Sequence, residues 1–314
     1  MTRRGWLLFA ALGVIWGVPY LLIRVAVGEI NPLTVVFGRT LIGGLLLLPV
    51  ALHRRALPAV LRRWRWVLLY TVVEISGPWL MLGYGETRLT SSTAGLLVAV
   101  VPLVATTVLV VGGQDRFDTR RLAGLGIGLA GVACLVGLDL RLDDLVAVGA
   151  VMLTVAGYSF GPIIISRRLS GLPPIGVVTA SLVTASALYA PFVGWLWPHH
   201  LTAPAAWSVL GLGVVCTAVA FLVFFALIAE VGPARSTVVT YVNPAVAIAL
   251  GVLVLNEPFT VGVAVGFPLV IVGSVLATAR SRRAALVADP VADPAGSPAV
   301  ARPRERAGQS HPTG

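Results

Sequence analysis

Ten apolar stretches, each long enough to cross a lipid bilayer, occupy most of this 314-residue chain. A hydrocarbon core of about 30 Å requires roughly 20 apolar residues of helix, because no backbone polar group can stay unpaired in lipid. With 57% hydrophobic and 11% charged residues, the composition is far from that of a soluble globular domain. We therefore predict an all-α membrane protein whose ten transmembrane helices span residues 6–26, 32–52, 66–85, 91–111, 121–138, 145–165, 174–196, 206–228, 234–254 and 260–279.

The arginines in the connecting segments predict how these helices are oriented. Cytoplasmic segments retain positive charge, and sixteen arginines lie on the side of the N-terminus, against Arg24, Arg88 and Arg141 on the other side. We expect both termini to be cytoplasmic and the chain to reside in the plasma membrane. From about Ala284 the sequence turns to proline, alanine and polar residues, which predicts a disordered cytoplasmic tail over 284–314.

An internal repeat divides the apolar region into two halves. A shift of 142 residues superposes Pro102 on Pro244 and, in the same register, Phe117 on Phe259, Gly124 on Gly266 and Gly131 on Gly273. Because five helices is an odd number, the second copy enters the membrane from the opposite side. We therefore predict an inverted-topology repeat with copies at 1–140 and 141–283, the arrangement in which two halves alternate around a site at the midplane.

Other function classes lack the residues that they need. The chain contains no lysine, which excludes a phosphate-binding loop of the ATPase type. Its four histidines and two cysteines are too scattered to predict a metal site, and its arginines do not form a nucleic-acid groove. We expect no cofactor, no metal and no nucleic-acid partner. An intramembrane lipid-modifying enzyme and a non-transporting receptor or scaffold stay open as alternatives to a transporter.

Two charged residues lie clearly within the hydrocarbon region, where a charge usually faces a bundle interior or an aqueous cavity. Arg39 and Glu74 both lie roughly 10 to 12 Å from the ends of their helices, so we expect them to pair across a shared cavity. We predict that Arg39 contacts a carboxylate of a small-molecule substrate and that Glu74 contacts substrate or carries a coupling proton. A buried structural ion pair is the alternative.

Further polar, aromatic and helix-bending residues lie near the same depth. The predicted substrate-binding residues besides Arg39 and Glu74 are Trp16, Tyr20, Tyr158, Tyr241 and Asn243. Interhelical packing or hydrogen bonding is the alternative for each. The predicted hinges or kinks are Gly17, Pro19, Pro102, Pro162 and Pro244. Because Arg39, Glu74 and Asn243 have no charged or amide counterpart in the other half, we expect this asymmetry to determine substrate choice.

Several short motifs occur in order along both halves. They are Trp16, Gly17, Tyr20 and Arg24 in the first helix, Pro32 and Arg39 in the second, the mid-helix prolines Pro102 and Pro244, and Glu257. In these motifs the chain resembles the EamA family of the drug/metabolite transporter superfamily. It departs where the family's Gly-Glu reads Gln114-Asp115 and Asn256-Glu257. The resemblance implies a secondary transporter, often an exporter, of small metabolites such as amino acids or related amphipathic compounds.

Glycines recur every four or seven residues in the fifth and tenth helices. They are Gly124, Gly128 and Gly131, and Gly262, Gly266 and Gly273. This spacing lets helix backbones approach closely. It predicts packing at the periphery of the two halves, with a homodimer as the other interpretation.

Overall fold

A computed structural model describes residues 2–113, 118–139, 141–198, 200–232 and 236–278. In this part of the chain, ten helices are long and apolar enough to cross a membrane. They are α1 (Arg3–Val27), α2 (Pro32–His53), α3 (Trp64–Glu86), α4 (Ser91–Val111), α5 (Thr119–Leu138), α6 (Leu142–Leu169), α7 (Pro174–Val193), α8 (Ala203–Val231), α9 (Val238–Leu255) and α10 (Val261–Thr278). The predicted spans are confirmed to within a few residues. The predicted tail over 284–314 and the residues Gln114, Asp115 and Phe117 lie outside the described residues.

Side-chain caps determine where several helices begin. The Thr2 hydroxyl accepts a hydrogen bond from the Gly5 amide at 3.0 Å, and the Asn31 side chain accepts one from the Leu33 amide at 3.0 Å. These bonds satisfy amide groups that have no partner within the first helical turn. Proline at Pro32 needs no such partner, and its fixed φ suits the start of α2.

Three of the ten helices contain a π-helical turn. These turns lie at Thr71–Ser76 in α3, Ile165–Leu169 in α6 and Val214–Val219 in α8. A π turn widens the helix locally and is frequent at functional sites. The turns of α3 and α8 occupy equivalent positions in the chain, because the shift that superposes Pro102 on Pro244 also brings Val72 onto Val214.

Two of the predicted kink prolines stand at interruptions of regular helix. In α4 the α-helical hydrogen bonding is broken between Val98 and Val101, and Pro102 opens the segment that follows. In α9 a 3₁₀ stretch (Thr237–Tyr241) precedes the α-helical segment that Pro244 opens. Proline suits such positions because it has no amide hydrogen to lose. Of the other two prolines, Pro19 lies within continuous α1, whereas Pro162 lies just before the π turn of α6.

Close helix contacts connect the two halves of the chain. Helix α2 packs on α7, α3 on α6, α1 on α8 and α9, and α5 along α10. Between α5 and α10 the glycines face each other, and a Cβ built on Gly131 would lie 2.9 Å from the Gly266 carbonyl oxygen. The glycine faces are therefore filled within one chain and do not form a free surface for a second copy. A homodimer stays a prediction that needs another surface.

Candidate functional site

Arg39 is buried among helices from both halves of the chain. Its side chain is 6% exposed. The Nε hydrogen is donated to the Thr217 hydroxyl at 2.9 Å, and Nη2 reaches the Cys216 carbonyl oxygen at 3.5 Å. The guanidinium carbon lies 3.6 Å from the centre of the Trp79 ring, a cation–π contact. All these direct partners are neutral.

The π turn of α8 presents the groups that hold Arg39. Thr217 lies within Val214–Val219 and is fully buried. Its hydroxyl donates to the Leu212 carbonyl at 2.8 Å and accepts from Arg39. A hydroxyl has one hydrogen to donate and lone pairs to accept with, so this pair of bonds fixes its orientation. The turn therefore orients the guanidinium of Arg39 as well.

Glu74 lies in the π turn of α3 and faces α6. A Cβ built on Gly161 would overlap the Glu74 carboxylate, so the two residues are in direct contact. The Glu74 Oε2 atom is buried and has no hydrogen-bond partner. The expected ion pair between Arg39 and Glu74 does not form. The π turn directs Glu74 toward α6, whereas Thr217 of α8 and Trp79 of α3 hold Arg39.

Two tyrosines lie within electrostatic range of the charged groups. Tyr20 of α1 is 6% exposed and interacts electrostatically with Arg39 and Tyr158. Tyr158 of α6 interacts with both Arg39 and Glu74 and lies beside Trp79. Four of the predicted site residues, Tyr20, Arg39, Glu74 and Tyr158, are thus linked by electrostatic interactions that include Tyr158, and Trp79 contacts Arg39. We call Tyr20, Arg39, Glu74, Trp79 and Tyr158 the central cluster.

Glu86 is a buried carboxyl group that the sequence analysis did not select. Its side chain is 0% exposed, although it lies in the last turn of α3. It interacts electrostatically with Arg39 and, more strongly, with Arg24 of α1. The sequence does contain a signal for the position of Glu86. Residues seven apart lie on the same face of a helix, and Glu86 follows Trp79 by seven residues, so the two share a face of α3. Trp79, whose ring lies against Arg39, was not selected either.

Glu257 joins the loop before α10 to the start of α4. Its carboxylate accepts hydrogen bonds from the Ser91 amide at 2.7 Å, the Ser92 amide at 3.0 Å and the Ser92 hydroxyl at 2.6 Å. Free amides and the helix dipole make a helix N-terminus favourable for an anion. Glu257 therefore fastens α4 to the second half of the chain.

The family of this chain follows from two adjacent matches. The model of the EamA-like transporter family matches residues 3–137 and again residues 145–279. The chain belongs to the EamA-like transporter family. It is therefore a multi-pass membrane transporter, and the resemblance seen in its motifs is confirmed.

This EamA-like transporter is similar to several known proteins. It is 27% identical over 290 residues to the uncharacterized transporter YvbV of Bacillus subtilis (strain 168), across 88% of this chain and 92% of the relative. It is 29% identical over 252 residues to the uncharacterized inner membrane transporter YedA of Escherichia coli (strain K12), across 77% and 79%. A probable terminal-alkyne amino-acid exporter of Streptantibioticus cattleyicolor is 26% identical over 204 residues, across 63% and 65%. A solved crystal structure shares the fold with a TM-score of 0.64 at 21% identity, over 90% of this chain and 99% of that chain.

Three predicted substrate-binding residues of this transporter make packing contacts outside the central cluster. The Trp16 ring lies 4.9 Å from that of Phe224 in α8, centre to centre. The Tyr241 hydroxyl shares a hydrogen bond of 2.7 Å with the Thr278 hydroxyl of α10. The amide of Asn243, oriented so that its nitrogen donates, reaches the Gly13 carbonyl at 3.3 Å. These contacts fit the interhelical interpretation, and a substrate role for the three stays a prediction.

The predicted hinge Gly17 marks the crossing of α1 and α9 in this transporter. A Cβ at Gly17 would overlap Val246 and lie 3.1 Å from the Asn243 carbonyl oxygen. The missing side chain therefore lets the two helices approach closely. This contact, together with the Asn243 bond to Gly13, ties the first helix to the second half of the chain.

Proposed function

We propose that this transporter is a secondary transporter that exports small metabolites, such as amino acids or related amphipathic compounds, across the plasma membrane. The substrate binds at the central cluster, and the two halves of the chain rearrange around it by alternating access. Both termini lie in the cytoplasm. The chain needs no cofactor for this cycle, because a gradient of the substrate or of protons supplies the free energy.

The single observation that carries the proposal is the state of Arg39. A buried cation is costly and usually has a functional reason in a membrane protein. A guanidinium group has five N–H donors, and the contacts to Thr217 and the Cys216 carbonyl engage only part of them. The remaining donors are available to a carboxylate of the substrate, which would also neutralise the buried charge.

Alternating access is supported by features that occur at equivalent positions of the two halves. The family model matches twice in succession. The π turns of α3 and α8 and the interruptions before Pro102 and Pro244 keep the same spacing. Helix α2 packs on the π turn of α8, and α7 packs on the π turn of α3. Such exchanged contacts are those expected of an inverted repeat with copies at 1–140 and 141–283.

Export of amino-acid-like compounds is supported by the comparisons and by the composition of the central cluster. One relative is named a probable terminal-alkyne amino-acid exporter, and another is named an inner membrane transporter. The cluster offers a cation for a carboxylate and the rings of Tyr20, Trp79 and Tyr158 for an apolar side chain. An amphipathic metabolite with one carboxylate matches both features.

Glu74 is the carboxyl group that we assign to proton coupling. Glu74 lies in the π turn of α3, and its unpartnered Oε2 atom lies against Gly161 of α6. A carboxyl group in such a position can exchange a proton when the surrounding helices open to water, and movement of α3 against α6 would do so. Uphill transport would then depend on Glu74, whereas exchange of substrate for substrate would not.

Reconstitution of the full chain into proteoliposomes tests the proposal. Vesicles loaded with a deproteinised metabolite extract should release at least one carboxylate-bearing compound faster than protein-free vesicles, as measured by mass spectrometry. Unchanged release of every compound would overturn the transport proposal and favour a receptor or scaffold. Chemical conversion of vesicle lipids without metabolite release would instead favour the lipid-modifying enzyme.

A further inference from the structure

The Glu86 carboxyl group is the most deeply isolated polar group near the end of α3. It is 0% exposed, and neither of its oxygen atoms has a hydrogen-bond partner. Glu257, the other carboxyl group with an electrostatic effect on it, accepts hydrogen bonds from the amides of Ser91 and Ser92. Glu257 therefore has hydrogen-bond donors for its carboxylate, whereas Glu86 at the same end of the molecule has none.

The charged and titratable groups around Glu86 come from α1, α2, α6 and one loop, whereas α4, which also packs against the end of α3, has no titratable side chain between Ser91 and Val111. Helix α1 contributes Tyr20 and Arg24, α2 contributes Arg39, α6 contributes Tyr158, and the loop before α10 contributes Glu257. Arg24 donates its Nη1 hydrogen to the backbone carbonyl of Glu86 rather than to the carboxyl group. Arg39 is held by Thr217, Cys216 and Trp79. Both nearby cations are thus directed elsewhere, and the nearby anion repels a second negative charge.

A carboxylate ion in this position would lose its hydration without gaining a donor. Burial of an ionised carboxylate without hydrogen bonds is far more costly than burial of the neutral acid. We propose that Glu86 is a second proton-binding site of the transporter, which holds a proton in this closed arrangement and releases it when the end of α3 opens. This inference rests on the proposed transport function and extends it to a group outside the central cluster.

A surface cleft next to the end of α3 would provide the route by which water reaches Glu86. It is lined by Arg24, Val27, Gly28, Thr87, Thr90 and Glu257. When this cleft opens, a water molecule in it would take the proton from the Glu86 acid group. The O–H bond breaks, its electron pair stays on the carboxylate, and the carboxylate then faces Arg24. Rotation of the Arg24 side chain from the Glu86 carbonyl to the Glu86 carboxylate would then form an ion pair. Protonation reverses these changes and closes the cleft.

Glu86 and Glu74 lie on the same helix at different depths. They are separated by twelve residues, or roughly 18 Å at 1.5 Å per residue. Tyr158 interacts electrostatically with both carboxyl groups. A change of charge at Glu86 would therefore be felt at Tyr158, and this links the end of α3 to the central cluster.

Infrared spectroscopy of the purified full-length protein tests the inference without a substrate. At neutral pH, the wild type should show the carbonyl stretching band of protonated carboxyl groups, and Glu86→Gln should remove one component of it. The matched control Glu257→Gln should leave this component unchanged, because Glu257 lies outside the site of Glu86 and its oxygens accept hydrogen bonds from Ser91 and Ser92. An unchanged band in correctly folded Glu86→Gln protein would overturn the proposal.

A second variant keeps the infrared test decisive if Glu86→Gln does not fold. Glu86→Asp keeps the carboxyl group and should shift the same component instead of removing it; a band unaffected by this substitution contradicts the proposal equally. Because the infrared measurement needs no substrate, a negative result here leaves the proteoliposome result intact. Likewise, an absence of metabolite release would not alter the protonation state that the spectrum reports.

Discussion

Arg39 donates its Nε hydrogen to the Thr217 hydroxyl across 2.9 Å, and this bond joins α2 of the first half to the π turn of α8 in the second. Trp79 stacks on the guanidinium from α3. Helices α2 and α3 of the first half and α8 of the second half therefore meet at the Arg39 guanidinium. A rearrangement of the halves would therefore change the surroundings of Arg39.

Replacement of Arg39 by lysine should impair transport although the charge is kept. Lysine lacks the planar fork that bonds to Thr217 and stacks on Trp79. Loss of one charge-assisted hydrogen bond to a substrate carboxylate predicts about a 10-fold weaker apparent affinity. The measurement is concentration-dependent metabolite release from proteoliposomes. Arg62→Lys, at an exposed position, is the control, and equal affinity in the two variants would contradict a substrate role for Arg39.

Glu74→Gln should separate uphill transport from exchange. Glutamine keeps the size of the side chain against Gly161 but removes the exchangeable proton. We expect flux driven by a proton gradient to be abolished, while exchange of substrate across the membrane and expression stay close to the wild type. Gradient-driven and exchange fluxes are measured in the same vesicles. Persistent uphill transport in this variant would end the coupling assignment.

Gly161→Ala should disturb the site through Glu74. The added methyl group would overlap the Glu74 carboxylate, and overpacking of a well-packed core costs about 1–3 kcal/mol. We expect a lower unfolding temperature and slower transport. Gly149→Ala is the matched control on α6, because a Cβ there would meet no atom within 4 Å. Equal stability of the two variants would show that the Glu74 carboxylate does not contact Gly161.

Gly131→Ala should weaken the contact between α5 and α10. The new Cβ would lie 2.9 Å from the Gly266 carbonyl oxygen, closer than side chains normally approach. Gly137→Ala on the same helix meets no atom within 4 Å, and its alanine favours the helix by up to about 1 kcal/mol. Thermal unfolding of the detergent-solubilised protein should therefore shift in opposite directions for the two variants. A common direction would contradict a tight glycine contact.

The sequence predicts the depth of a side chain in the membrane better than the direction in which it points. Depth follows from residue counting at a fixed rise per residue, and by this means Tyr20, Arg39, Glu74 and Tyr158 were all placed near the midplane. Direction depends on the partner helix. The π turn that directs Glu74 toward Gly161 has no simple sequence signal, so the ion pair expected with Arg39 was wrong.

Residues outside the central cluster illustrate the same limit of sequence reasoning. Tyr241 and Asn243 lie at a suitable depth, yet their hydrogen bonds go to Thr278 and Gly13 on neighbouring helices. From the sequence, Glu86 is expected to be hydrated, because it lies close to the end of a helix. Its burial arises from the packing of α1, α2 and α6 around that end of α3, and in the sequence only its spacing of seven residues from Trp79 indicates this.

Metabolite release from proteoliposomes that contain either the wild type or Arg39→Lys tests the central claim most directly. Vesicles loaded with the same deproteinised extract are compared with protein-free vesicles by mass spectrometry. The account predicts that at least one small carboxylate-bearing metabolite leaves faster with the wild type, and that this release is slowed about 10-fold at limiting concentration by Arg39→Lys. Release that is identical in the two proteins, or no faster than from protein-free vesicles, would contradict it.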